Sequence, residues 1–123
     1  MQILAIAGGG AVGALLRFWV SSGVYALLGR SFPYGTLAVN VLGSLVMGFL
    51  YVLLLDKLAL GPAVRAALLV GLLGAFTTFS TFSIETLNLV EEGELLRAGL
   101  NVVLSIVLCI GATWAGVIAG RTL

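Results

Sequence analysis

Four long apolar runs divide the chain, and each is long enough to cross a lipid bilayer as a helix. A bilayer span needs about 20 predominantly apolar residues. The predicted helices are, in chain order, Gln2–Leu28, Thr36–Leu55, Ala63–Val90 and Leu95–Gly120. Glycine, proline or charged residues fill the connectors at 29–35, 56–62 and 91–94. The pattern predicts an all-α membrane protein in which residues 1–123 form a single four-helix transmembrane domain.

Composition supports a membrane location and excludes several kinds of chemistry. The 123 residues are 61% hydrophobic and 9% charged, with a mean hydropathy of +1.22, whereas soluble domains are about a quarter charged. A net charge of +1 argues against nucleic acid as a partner. The chain has no histidine and one cysteine, Cys109. Histidine catalysis, an intramolecular disulfide and a thiolate metal cluster are therefore excluded.

The third run contains a segment that is unusually polar for a bilayer helix, Gly71–Ser83. It combines two glycines and three phenylalanines with five hydroxyl side chains, which are Thr77, Thr78, Ser80, Thr81 and Ser83. Glycine and β-branched threonine weaken a helix, so we expect a break within Gly71–Thr77, opening near Gly74–Thr77. Broken backbone is tolerated in a membrane only when protein or a cavity covers it. Freed carbonyls that face a two-fold axis would suit a hard cation such as Na⁺.

Basic residues are almost evenly distributed between the two ends of the predicted bundle. Four helices place both termini on one side, together with Lys57, Arg65 and Arg121, while Arg30 and Arg97 lie on the other. Because such residues set orientation, two interpretations stay open. The chain inserts in both orientations, which permits an antiparallel dimer, or it has one orientation with a weak signal.

Small and polar residues recur at intervals of three to four along helices one, two and four. The set comprises Gly9, Gly10, Gly13, Ala14, Arg17 and Ser21, then Asn40, Gly43, Ser44, Met47, Gly48 and Tyr51, and finally Asn101, Ser105, Cys109, Ala112, Thr113, Gly116 and Gly120. This spacing places each set near one helix face. Small residues mark close contacts between membrane helices, so we interpret the glycines as packing residues.

Three polar side chains within the spans each allow two interpretations. Arg17 either extends to a membrane interface or faces a wet cavity, where it would attract anions. The Asn40 amide can donate to an anion or to a neighbouring helix. Glu85 is either an interfacial residue or the end of a polar track that it forms with Thr78 and Thr81 at i, i+3 and i+7.

Phe79 and Phe82 are spaced three residues apart, which by itself indicates packing. Hydroxyl side chains surround them in the sequence, however, so their rings can border a polar path. Ring edges carry partial positive charge and can meet an anion weakly.

Helices one to three each contain a distinctive motif: GGAVGALLR at residues 9–17, GTLAVNVLG at residues 35–43 and GLLGAFTTFSTFS at residues 71–83. Together these motifs resemble the Fluc (CrcB) family of fluoride channels. The match covers helices one to three, and length and hydropathy agree throughout the chain.

The resemblance implies a fold and a function. Members form antiparallel, dual-topology homodimers with a broken third helix, and each dimer carries two pathways for passive export of toxic fluoride across the cell (inner) membrane. It implies a structural Na⁺ on the dimer axis, held by carbonyls of Gly74 and Thr77. It places the following residues along the fluoride pathway: Asn40, Phe79, Phe82, Ser80, Thr81, Thr113 and Glu85. Arg17 corresponds to the first-helix arginine of the family and would attract anions at a vestibule.

Two other functions remain possible from the residues alone. A small dual-topology multidrug-type transporter needs a membrane carboxylate, for which Glu85 is the single candidate. A non-conducting membrane assembly subunit would use the same polar stripes only as interhelical contacts. An enzyme is not expected, because the sequence shows no histidine, nucleophile–base pair or metal cluster.

Overall fold

The computed structural model describes residues 1–58 and 60–123, and it shows four helical spans. Helix α1 is Gln2–Leu28, and α2 is Tyr34–Val52, which continues through a π-helical turn, Leu53–Lys57. The third span has two halves, α3 (residues 62–76) and α4 (Phe79–Glu91), and α5 is Leu95–Arg121. The prediction of four apolar helices is confirmed, with ends that differ by at most two residues. Ala59, in the predicted connector 56–62, lies outside the described residues.

The connectors reverse the chain tightly, so successive spans run in opposite directions. Gly29 has φ 84° where α1 ends, and Gly93 has φ 79° between α4 and α5. Both values lie in the left-handed region that glycine adopts without steric cost. Lys57 Nζ donates to the Arg121 carbonyl oxygen at 3.1 Å, which joins the ends of the second and fourth spans.

The predicted break in the third span is confirmed, but it is shorter than the sequence suggested. The helix stops at Phe76 and resumes at Phe79, near the middle of the 30-residue span Pro62–Glu91. Thr77 and Thr78 are extended, with ψ of 160° and 123°. Gly71 lies instead in a π-helical stretch, Ala66–Leu72, and Gly74 is helical. The expectation of a break over Gly71–Thr77 was therefore wrong in extent, because Gly71 packs closely against the backbone of α1 and stays helical, as does Gly74.

Glycines let the helix backbones approach one another, as the small-residue stripes predicted. A Cβ at Gly48 of α2 would meet the backbone of Thr113, and one at Gly116 of α5 would meet the backbone of Leu45. On the other side of the subunit, Gly13 of α1 lies equally close to the backbone of α3. Helix α2 therefore packs chiefly against α5, and α1 against α3.

Large apolar side chains cover the outside of the subunit. Phe18, Trp19, Ile110 and Trp114 are all at least 60% exposed. Lipid chains, unlike water, solvate such surfaces without a free-energy cost. Together with four spans of suitable length and hydropathy, this surface identifies a multi-pass membrane protein.

Two glycines of α5 give a matched test of this packing. We expect Gly116→Ala to destabilise the protein by about 1–3 kcal/mol, the usual range for overpacking, because its Cβ would overlap the Leu45 carbonyl. Gly111→Ala meets open space and should be neutral or stabilising by up to about 1 kcal/mol, since alanine favours helix. Thermal unfolding of the purified proteins in one detergent measures both effects. Equal losses of stability in the two variants would contradict the close contact between Gly116 and the Leu45 carbonyl.

Candidate functional site

The break in the third span is held by one side chain from α2. Asn40 Nδ2 donates to the Thr78 carbonyl oxygen at 3.0 Å, and Asn40 Oδ1 accepts from the Thr78 N–H at 2.8 Å. The amide therefore pairs with both polar groups of a backbone residue that has left the helix. Of its two predicted uses, Asn40 shows the contact to a neighbouring helix. The NH₂ group still has a second proton.

Thr78 also caps the helix that follows. Its Oγ1 accepts from the Thr81 N–H at 3.2 Å, the usual N-cap arrangement. The same oxygen lies 3.1 Å from Thr81 Oγ1 and 3.4 Å from Ser80 Oγ. Ser80 and Thr81 therefore join a hydroxyl cluster at the first turn of α4.

On the other side of the break, Arg17 binds the end of α3. Its Nε donates to the Ala75 carbonyl oxygen at 3.0 Å. A cation at a helix C-terminus is stabilised by the helix dipole and satisfies a carbonyl that has no helical partner. The partly buried Arg17 thus holds the break from α1, and its role in attracting anions stays a prediction.

Two carbonyls at the break lose their helical donors to side chains. In a continuous helix the Gly74 carbonyl would accept from the Thr78 N–H, which donates to Asn40 instead. The Thr77 carbonyl would accept from the Thr81 N–H, which donates to the Thr78 side chain. Within the described chain, no backbone hydrogen bond joins α3 to α4. Gly74 is exposed and Thr77 half-buried.

A groove of about 330 Å³ runs beside the break, between α2, α4 and α5. Its lining consists of Asn40, Gly43, Ser44, Met47, Thr77, Thr78, Phe79, Phe82, Ser105, Ile106, Cys109 and Thr113. None of these side chains is charged. The Phe79 and Phe82 ring centroids lie 5.4 Å apart with a 43° angle between planes, and Phe79 is 79% exposed. The groove therefore combines weak hydrogen-bonding groups with an aromatic border.

Glu85 lies outside the groove, in a second cavity of about 260 Å³ at the loop end of α4. Tyr25 Oη donates to Glu85 Oε2 at 2.7 Å, and the Arg30 guanidinium lies 4.4 Å from the Tyr25 ring centroid. Glu85 Oε1 is buried and has no hydrogen-bond partner among the described residues. Arg97 also lines this cavity.

The structure therefore divides the predicted site residues into groups. Asn40, Thr77, Phe79, Phe82 and Thr113 meet in the groove. Ser80 and Thr81 surround the Thr78 hydroxyl, as described above. The other three predicted residues lie apart from the groove. Arg17 contacts the end of α3, Gly74 lies on the exposed face of α3, and Glu85 lines the second cavity.

Sequence reasoning gave no site role to six groove residues. Five of them lie in the stripes of small and polar residues, namely Gly43, Ser44, Met47, Ser105 and Cys109, and the sixth is Ile106. Ser105 Oγ is buried and has no partner among the described residues, whereas Thr113 Oγ1 donates to the Cys109 carbonyl at 2.9 Å. The spacing of three to four residues was the sequence pattern that could have identified the stripe residues of the groove. No such pattern marks Tyr25, because its partner Glu85 is 60 residues away in the sequence.

This arrangement can solvate a small anion weakly. Hydroxyl and amide groups supply donors, ring edges add partial positive charge, and the N-terminus of α4 carries the positive end of the helix dipole. The absence of a charged side chain from the groove lining means that no single partner would hold the ion tightly.

The fold and the groove define a class: a four-span α-helical membrane protein with a polar groove beside an interrupted third span. Within that class the chain belongs to the CrcB family, described as "CrcB-like protein, Camphor Resistance (CrcB)", whose model matches residues 4–117. The resemblance seen in the motifs is thus confirmed.

Curated relatives carry the name fluoride-specific ion channel FluC. The Methylococcus capsulatus relative is 60% identical over 123 residues, which is the whole of this chain but 54% of the relative. The Magnetococcus marinus relative is 52% identical over 98% of both chains, and a Coxiella burnetii relative is 48% identical over 100% of both. The chain therefore spans about half the first relative and essentially all of the other two.

The pairing between Asn40 and Thr78 can be tested by substitution. Asn40→Leu leaves the Thr78 N–H without an acceptor, and it removes the side-chain donor to the Thr78 carbonyl, which as the N-cap keeps its helical bond in α4. An unpaired buried group costs about 1–3 kcal/mol. We expect a loss of about 2 kcal/mol or more in thermal unfolding of the purified protein. Asn88→Leu is the control, because Asn88 is exposed near the end of α4. If the two variants lose equal stability, Asn40 does not hold the break.

Proposed function

We propose that this chain forms a fluoride-selective channel for passive export of toxic fluoride, located in the cell (inner) membrane with residues 1–123 acting as one domain. Family membership supports the proposal, as does the fluoride-channel name of relatives up to 60% identical. The observation that carries it is the groove beside the break. Its polar and aromatic lining, free of charged side chains, fits the motifs on which the resemblance rests.

The groove chemistry suits fluoride for a physical reason. A channel must replace the hydration of a small anion with other donors and still let the ion leave. In this proposal Asn40, Ser105 and the hydroxyls around Thr78 donate, while the ring edges of Phe79 and Phe82 add weak attraction. Ser80, Thr81 and Thr113 continue the polar path. Glu85 marks its loop end beside Tyr25, and Arg17 raises the local anion concentration near the break.

A structural sodium ion fits the carbonyls freed at the break. Gly74 and Thr77 both lose their helical N–H donors to side chains, and Gly74 lies on an exposed face. Carbonyl oxygens are the ligands that a hard cation prefers, but two from one subunit are too few to enclose it. A two-fold homodimer doubles the set. When bound, the ion supplies positive charge between the two subunits.

An antiparallel, dual-topology homodimer with two pathways completes the proposal. Basic residues are nearly balanced between the ends, with Lys57, Arg65 and Arg121 on one side and Arg30 and Arg97 on the other. The exposed Phe79 and Gly74 lie beside the break, where non-helical backbone in a membrane requires cover. A second copy would provide that cover.

Flux in liposomes tests the channel function. We expect purified protein to release fluoride but not chloride. Phe79→Ile or Phe82→Ile should lower fluoride release about tenfold, equal to about 1.4 kcal/mol in the barrier, because the aromatic edges are lost. Phe18→Ile is the matched control, since Phe18 is 64% exposed on α1. Flux coupled to protons and organic cations would favour the multidrug-type transporter, and no flux would favour the assembly subunit.

Orientation is tested separately. A tag at either terminus, labelled from one side of the intact membrane, should react in about half of the molecules, because the basic residues give little bias. Labelling followed by permeabilisation gives the total. A single orientation would contradict the antiparallel dimer and leave the flux result unaffected.

A further inference from the structure

Helix α4 has little apolar anchorage within its own subunit. Across Phe79–Glu91, all of which the structure describes, Leu89 is the one buried residue. Side-chain hydrogen bonds instead connect α4 and its N-cap to each of the other full-length spans. The pairs are Tyr25 with Glu85 from α1, Asn40 with Thr78 from α2, and Asn101 with Thr86 from α5.

The contact from α5 is a short hydrogen-bonded series that ends on an aromatic residue of the groove. Asn101, only 2% exposed, donates from Nδ2 to Thr86 Oγ1 at 2.8 Å. Thr86 Oγ1 donates to the Phe82 carbonyl oxygen at 2.7 Å. A hydroxyl has one proton, so Thr86 uses it toward Phe82 and accepts from Asn101. The buried amide is thus linked to the backbone of Phe82.

Such a series has a mechanical role in a membrane. Apolar contact does not drive membrane helices together as it does in water, so packing and interhelical hydrogen bonds fix their relative rotation. Successive side chains of a helix point about 100° apart around its axis, so the rotation of the helix decides which side chains face a given neighbour. A rotation of α4 by part of that angle would therefore change the direction of Phe82 relative to the groove that it lines with Phe79.

We propose that Asn101 and Thr86 are a positioning pair that sets the rotation of α4 and so places Phe82 in the ion pathway. The expected effect of the pair on ion flux rests on the proposed fluoride channel. Its effect on the position of the Phe82 ring does not depend on that function. Neither side chain lines the groove. The pair acts through Phe82, without touching the ion.

Fluoride efflux from liposomes tests the pair. Asn101→Leu and Thr86→Val should each lower the fluoride rate per protein about three- to twentyfold, the range expected for one hydrogen bond between membrane helices. The double variant should lose no more than either single variant, because both remove the same bond. Thr86→Ser keeps the hydroxyl and should restore the wild-type rate. Losses that multiply in the double variant, or no rescue by serine, would overturn the proposal.

A matched control separates this role from a general loss of hydroxyl groups. Thr122→Val makes the same change at a threonine whose hydroxyl donates only to Ala119 O of its own chain segment, at 2.8 Å. It should leave the efflux rate unchanged. An equal decrease with Thr122→Val would contradict a specific role for Thr86.

Fluorine NMR measures ring placement without any flux. In protein labelled with para-fluorophenylalanine, with signals assigned by Phe79→Leu and Phe82→Leu, the Phe82 signal should shift or broaden in Asn101→Leu and Thr86→Val. It should not change in Thr122→Val. If the wild type carries no fluoride, the channel function fails, and the NMR result still decides the positioning role. An unchanged Phe82 signal in both variants would refute it.

Discussion

The structure depends on one constraint: backbone that leaves a helix inside a membrane must still find hydrogen-bond partners. Here Asn40 meets that requirement, since its amide pairs with both the N–H and the carbonyl of Thr78. Thr78 in turn caps α4 through its side chain, and Arg17 satisfies a carbonyl at the end of α3. With these three side chains in place, two extended residues can interrupt the span without a continuous backbone ladder. The groove exists because the interruption is held open in this way.

The interruption also places the negative dipole end of α3 beside the positive dipole end of α4. The end of α3 presents carbonyls and a negative dipole end, whereas the start of α4 presents N–H groups and a positive dipole end. The first suits cations: Arg17 occupies it already, and the proposed sodium ligands Gly74 and Thr77 belong to it. The second suits an anion, and it borders Phe79, Phe82 and the hydroxyl-bearing groove. One break in one helix thus presents both a negative and a positive dipole end without a charged side chain in the groove lining.

Different parts of this arrangement were predictable to different degrees. Hydropathy predicted the four spans closely, because helix length in a bilayer is set by its thickness. Composition predicted a break in the third span but not its bounds, because close packing keeps Gly71 helical. Spacing predicted the small-residue contacts, such as that of Gly116 with the backbone of α2. The Tyr25–Glu85 and Asn101–Thr86 pairs were not predictable, because which distant polar side chains meet depends on how the helices pack.

Amide hydrogen exchange, measured by NMR on wild-type protein in a bilayer mimic, tests most directly whether side-chain hydrogen bonds hold the break in the third span. These hydrogen bonds predict unequal protection: the amides of Thr78 and Thr81 exchange slowly, because they donate to Asn40 and to the Thr78 side chain. The amides of Phe79 and Ser80, in the first turn of α4, should exchange quickly with water, since a helix leaves its first amides without internal acceptors. Uniform protection from Phe76 to Thr81 would mean that the third span is a continuous helix. That result would contradict an interruption held by the side chains of Asn40 and Thr78.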